Sequence, residues 1–263
     1  MQRVTDFLRA RQKGTPIVMT TCYDAWSAQL IAQTPVDAVL VGDSAAMVMH
    51  GHDATVHATT EMMAAHTAAV ARGLTGKVIV GDMPFPTHRL GKDTATRTAD
   101  ALLKAGAHAV KLEGARGHLD TVHHLVESGV PVMGHLGLTP QSVHALGGYK
   151  VQGKGDAAAT QLLEDAKALE DAGVFGLVLE VIPADLAGQV TAALTIPTIG
   201  IGSGPQCSGQ ILVLQDLLGL NDGFQPKFLR TYLDGAALVK DALSRYAEDV
   251  KAARFPSREE SFV

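Results

Sequence analysis

The chain has 263 residues, 46% of them apolar, and a formal net charge of −5. That length suits one sizeable core and is normal for a single α/β barrel. The mildly acidic balance, with no basic cluster, argues against nucleic acid or an anionic membrane surface as partner. Two cysteines, Cys22 and Cys207, are too few for a disulfide framework and lack metal-type spacing, a count that suits a reducing cytosol.

Residues 1–14 carry Arg3, Arg9, Arg11 and Lys13 but no long apolar run, and Val4, Phe7 and Leu8 fit one face of a short amphipathic helix rather than a signal peptide. No later run reaches the roughly 18 apolar residues that span a bilayer. From Pro16 onward, short apolar runs alternate with helix-length segments. Strands are expected at 17–21, 38–41, 77–81, 109–112, 131–134, 175–179, 197–201 and 211–214. Helices are expected at 94–105, 119–128 and 157–172, each closed by a glycine (Gly106, Gly129, Gly173). Alternating strands and helices imply a parallel sheet covered on its outer face. Eight such units in this length favour a closed (β/α)8 TIM barrel over an open doubly wound sheet, and no GxGxxG follows the first strand. With further helices expected over 226–254 and no linker before them, residues 1–263 read as a single barrel domain. The stretch 136–156 is glycine-rich and aperiodic, which reads as a functional lid or a disordered loop, or else as a tolerated surface insertion.

In such a barrel the active site lies at the C-terminal ends of the strands. Five expected strands end there on polar or charged residues: Val41-Gly42-Asp43-Ser44, Val80-Gly81-Asp82, Lys111-Leu112-Glu113, Met133-Gly134-His135 and Val178-Leu179-Glu180. Side chains alternate across a strand, so Lys111 and Glu113 share one face. Two like charges 4 Å apart cost about 4 kcal/mol at an effective dielectric near 20. Asp43, Asp82 and Glu113, offset by Lys111, therefore call for a hard divalent cation with oxygen ligands, Mg2+ rather than zinc. Glu180, left over from the metal cluster, is placed as a general base for proton abstraction next to a carbonyl. Gly200-Ile-Gly-Ser-Gly204 reads either as a phosphate-binding loop or as a tight turn.

Val41-Gly42-Asp43-Ser44, Gly51-His52-Asp53, His66-Thr67-Ala68-Ala69-Val70, the run Ala107 to Gly114, Gly134-His135-Leu136-Gly137-Leu138-Thr139-Pro140-Gln141 and Gly147-Gly148-Tyr149-Lys150-Val151-Gln152-Gly153 together resemble the ketopantoate hydroxymethyltransferase family over nearly the whole chain. The resemblance implies a barrel of the phosphoenolpyruvate/pyruvate type. It also implies a Mg2+-dependent transferase of pantothenate and coenzyme A biosynthesis. Such an enzyme moves a hydroxymethyl group from 5,10-methylenetetrahydrofolate to 3-methyl-2-oxobutanoate, through a Mg2+-stabilised enolate. Carried over by position, Asp43, Asp82 and Glu113 would bind the metal. Asp43, Ser44, Asp82, Lys111 and His135 would contact the keto acid, and Glu180 would be the catalytic base. Members of the family are typically cytoplasmic homo-oligomers, often decamers. Two stretches depart from the family pattern. Ala45-Ala46 replaces Leu-Gly, and Met83-Pro84-Phe85-Pro86-Thr87-His88 replaces a Leu-Pro-Phe run with Ser-Tyr nearby. Both bear on substrate fit or folate contacts. The alternative is a Mg2+-dependent C–C lyase on the same barrel. Such lyases often carry a cysteine on a mobile loop, and 136–156 has none.

Overall fold

The computed structural model describes residues 1–262 apart from 222 and 224; residues 222, 224 and 263 of the expected single-domain span lie outside the described residues. The eight strands are β1 Ile17–Thr21, β2 Ala38–Val41, β3 Val78–Asp82, β4 Ala109–Lys111, β5 Val132–Gly137, β6 Gly176–Glu180, β7 Thr198–Ile201 and β8 Gly209–Leu212. All pair in parallel and in sequence order, and β1 joins β8 to close the barrel. Closure uses the register Ile17↔Gly209, where a side chain at 209 would run into the Ile17 carbonyl. A glycine is what lets the first and last strands meet.

The helices are α1 Thr5–Lys13, α2 Ala25–Ala32, α3 Ala45–Val48, α4 Thr60–Gly73, α5 Lys92–Lys104, α6 Leu119–Glu127, α7 Val143–Leu146, α8 Asp156–Asp171, α9 Ala184–Ala193, α10 Leu214–Leu217 and α11 Gly235–Lys251. Local chemistry starts several of them. The Asp24 carboxylate accepts from the Ser27 amide at 2.9 Å to cap α2, and Thr59 caps α4 through the Met62 amide. Inside the barrel, Ile17, Met19, Ala38, Leu40, Val78, Val80, Ala109, Met133, Val178, Ile199 and Ile211 form one cluster. Phe7 and Ala10 of α1 join it, and Phe7 meets Phe175, just before β6, edge to face at 5.4 Å. The N-terminal helix thus covers the end of the barrel where the strands begin.

Two expectations need correction. The stretch 136–156 is not without structure: β5 runs on to Gly137, Pro140–Ser142 forms a 3-10 turn, and α7 comes next. In the C-terminal region, only Gly235–Lys251 is helical among the described residues of 226–254. By contacts the chain divides into two compact units, Met1–Val213 and Leu214–Val263. The first holds the whole barrel. The second holds α10 and α11, with Asn221 donating to Asp216 at 2.9 Å and Tyr246 edge-on to Phe255. Among the described residues no helix is long and apolar enough to cross a membrane.

Candidate active site

The barrel's own period of two builds the site. Inward positions on β3 are Val78, Val80 and then Asp82. On β4 they are Ala109 and Lys111, with Glu113 next beyond the strand. On β5 they are Met133 and His135, and on β6 Val178 and Glu180. Apolar residues fill the lower layers, and charge begins at the C-terminal layer. The register sets Asp82 opposite Lys111 and Gly137 opposite Glu180. Asp43 enters from the turn after β2, where its amide donates to Asp82 Oδ2 at 3.2 Å.

These groups are buried and charge-paired. Lys111 Nζ lies 2.8 Å from Asp82 Oδ1 and 3.6 Å from Glu113 Oε1. His135 spans the neighbouring gap, with Nδ1 3.3 Å from Glu113 Oε1 and Nε2 3.2 Å from Glu180 Oε2. Burial and the nearby Lys111 both work against charge on His135, yet contact with Glu113 and Glu180 outweighs them and raises its pKa to about 9. Lys111 Nζ also approaches Nδ1 to 3.3 Å, a contact in which Nδ1 accepts from the ammonium when the ring carries its proton on Nε2. Lys111 is itself desolvated, but Asp82, Glu113 and Asp43 push its pKa up and keep it charged.

The acids divide by surroundings. Asp43 is pushed well above the usual carboxylate range by burial and then by Asp82 and Glu113. Asp82 is raised by burial, with Lys111 opposing. Glu113 is lowered on balance: its burial is overcome by Lys111, His135 and the Gln141 amide. Glu180 differs in access, with 17% of its side chain exposed against 1–3% for Asp82, Lys111, Glu113 and His135.

Ser44 is half-buried after Asp43, and its hydroxyl shares a 2.8 Å hydrogen bond with the Tyr23 hydroxyl. The glycine run after β7 serves as a tight turn. Ser203 Oγ donates to the Leu179 carbonyl at 2.7 Å, and a side chain at Gly204 would collide with Ala184. Three buried residues here carry no charge pattern in the sequence and escaped it. Gln141 donates from its amide nitrogen to Glu113 Oε2 at 3.0 Å and from Nε2 to Asp43 Oδ2 at 2.8 Å. His88 bonds the Glu113 carbonyl at 3.1 Å and meets His118 ring to ring. Burial, then His118 and Arg89, hold His88 neutral, with its pKa lowered to about 3. The departures from the family pattern lie close by: Ala45, Ala46 and Met83 are fully buried, and Phe85 is exposed.

Among the described residues no three His, Cys, Asp or Glu side chains gather closely enough to hold a metal by themselves. Two carboxylates, Asp43 and Asp82, nonetheless sit on adjacent strand ends. Four carboxylates face two cations across the whole cluster.

A family profile described as ketopantoate hydroxymethyltransferase matches residues 2–258. The chain is similar to the 3-methyl-2-oxobutanoate hydroxymethyltransferase of Bdellovibrio bacteriovorus, at 53% identity over 262 residues and 100% of both chains. It is also 53% identical to that of Coxiella burnetii over 255 residues, 97% of this chain and 96% of the relative. Among solved structures, a phosphonopyruvate hydrolase complex with oxalate and Mg2+ shares the fold with a TM-score of 0.64 at 12% identity, over 99% of this chain and 93% of that one. A 2,3-dimethylmalate lyase of the PEP mutase/isocitrate lyase superfamily aligns with a TM-score of 0.59 at 16% identity, over 100% of this chain and 92% of that one. Those two likenesses concern the barrel alone, whereas the profile and the relatives run through every strand end described above. The chain belongs to the ketopantoate hydroxymethyltransferase family.

Proposed function

We propose that this chain transfers a hydroxymethyl group from 5,10-methylenetetrahydrofolate to 3-methyl-2-oxobutanoate, giving 2-dehydropantoate. The observation that carries the reading is the ring of Asp43, Asp82, Lys111, Glu113, His135 and Glu180 at one end of the barrel. The donor set fits a hard divalent cation. Asp82 Oδ1 and Glu113 Oε1 are buried with ion-pair contacts but no well-aligned hydrogen bond, and Asp43 is raised by burial and then by its acidic neighbours. A cation relieves that excess. Mg2+ commonly takes only one or two protein carboxylates, the rest of its shell being water and substrate oxygen. Asp43 and Asp82 would hold it directly and Glu113 through water. When bound, the ion supplies positive charge for the keto and carboxylate oxygens of the substrate as its C3–H bond ionises.

The chain's own residues do the rest. Lys111 and the Ser44 hydroxyl orient the keto acid, Lys111 also balancing its carboxylate. Glu180, the most accessible acid of the ring, takes the proton from C3, with His135 Nε2 3.2 Å from its Oε2 to hold it in place. The electron pair left at C3 then forms the new C–C bond to the one-carbon unit, which the folate presents as an iminium. Water completes the hydroxymethyl group and frees tetrahydrofolate. We also take the protein to be a cytoplasmic homo-oligomer, as the biosynthetic role and the family resemblance imply.

The test is an assay of purified protein with keto acid, run with and without methylenetetrahydrofolate and with and without chelator. Product is expected only with folate and without chelator. Turnover of the keto acid without folate would favour lyase chemistry instead.

A further inference from the structure

We propose that Gln141 is a positioning residue that sets the Asp43 and Glu113 carboxylates, so that the cation site is completed by the fold of the β5–α8 connection. The inference rests on the proposed hydroxymethyl transfer for its catalytic consequence, but not for the binding it predicts.

Gln141 sits in the 3-10 turn after β5, and is 4% exposed. Three donor contacts tie it to three other strand ends. Its backbone amide donates to Glu113 Oε2 at 3.0 Å, beyond β4. Its side-chain nitrogen donates to Asp43 Oδ2 at 2.8 Å, beyond β2, and to the Met83 carbonyl at 2.9 Å, beyond β3. Both partners of Nε2 are acceptors, so the amide has one permitted orientation: turned over, its oxygen would face a carboxylate and a carbonyl. Both hydrogens on Nε2 are thereby used. Oε1 has no donor among the described residues although the atom is buried. A buried acceptor without a donor is costly, and a water or hydroxyl brought in with substrate or cation would satisfy it.

The neighbours leave this duty to Gln141. Lys111 reaches Asp82 and Glu113, and His135 reaches Glu113 and Glu180, while the Asp43 carboxylate takes its hydrogen bond from Gln141 among the described residues. The turn that carries Gln141 starts with Pro140, so its backbone is preset. One residue of the connection therefore fixes the direction in which one acidic oxygen of Asp43 and one of Glu113 can point. Groups that orient ligating carboxylates typically change metal affinity or activity by about 10- to 100-fold when removed.

Two substitutions separate positioning from bulk. Gln141→Leu keeps most of the volume without any side-chain hydrogen bond, and Gln141→Asn keeps the amide on a shorter arm. Mn2+ binding by the full chain without substrate, followed by calorimetry or electron paramagnetic resonance, is the primary readout. Circular dichroism and thermal midpoints are taken alongside. Both variants are expected to fold and to bind Mn2+ about 10- to 100-fold more weakly, with a matching fall in deuterium exchange at C3 of the keto acid. Affinity within twofold of wild type in either folded variant would overturn the proposal. So would a lowered thermal midpoint with Mn2+ binding and exchange unchanged, since that is a purely structural role. Were the wild type to lack transferase activity while the variants still lost Mn2+ affinity, the positioning role would stand and the proposed reaction would fail.

Discussion

A carboxylate that is to accept a proton from carbon must be within reach of substrate, and Glu180 meets that demand better than its neighbours. Asp82 and Glu113 are enclosed and already share Lys111, whereas Glu180 keeps an exposed edge and pairs with His135. Glu180→Gln is therefore expected to keep keto acid binding and to lose about 10²- to 10⁴-fold in C3 deuterium exchange, the usual span for a general base. Exchange at the wild-type rate would remove Glu180 from that role. His135 makes a second prediction, through pH. Its pKa is raised from 6.5 to about 9 by Glu113 and Glu180 against burial and Lys111. A raised pKa means the folded state holds the proton more tightly than the unfolded one. The stabilisation is then full below pH 6.5 and fades as pH rises through 9, by roughly 3 kcal/mol in all. Urea unfolding in chelator at pH 6.5 and pH 9.5 should show wild type losing its margin over His135→Gln across that window. A constant margin would mean that the ring is neutral at pH 7.

At the level of whole strands and loops, β5 and the turn that succeeds it decide how the site is set. Gly137 ends β5 opposite Glu180 with φ at +95°, and a side chain there would strike the Glu180 carbonyl and Ile182. Positive φ and backbone contact both forbid a methyl group. Gly137→Ala should thus cost about 2–4 kcal/mol in denaturant unfolding. It should also lower C3 exchange more than Mn2+ binding, because the displaced backbone is that of the base. Equal stability to wild type would show that the strand end has slack. Such loops also mark how far sequence reasoning reaches. β1 and β2 were legible to the residue because apolar runs end sharply at Thr21 and Val41. The acids were legible because charge at the end of an apolar strand is conspicuous. Strand β5 was read three residues short, since Gly134 and Gly137 look like breakers when pairing with β6 is not visible. Gln141 was illegible as a site residue: it is uncharged, lies in an aperiodic stretch, and gains its role only from three chain segments meeting in space.

The C-terminal unit raises the question of assembly. In α11 only Gly235 is buried, and Val239, Leu243, Tyr246 and Val250 are 49%, 62%, 57% and 45% exposed. Their spacing of four, three and four places them on one stripe of the helix, the pattern of a seam that packs against another helix. A stripe of this kind is a surface that a second copy of the chain would cover in the proposed homo-oligomer. Burying a Leu or Tyr of this size contributes about 1.5–3 kcal/mol each. The pair Leu243→Asp and Tyr246→Asp, combined in one variant, should therefore weaken association by at least about 100-fold per interface. In sedimentation equilibrium at micromolar concentration, wild type is expected to run as a closed oligomer and the variant at a smaller mass. Every mouth residue named above lies within 1–213, so the dissociated variant should still exchange deuterium at C3. An unchanged mass would place the interface elsewhere on the chain, and loss of exchange on dissociation would mean that a neighbouring copy helps to build the site.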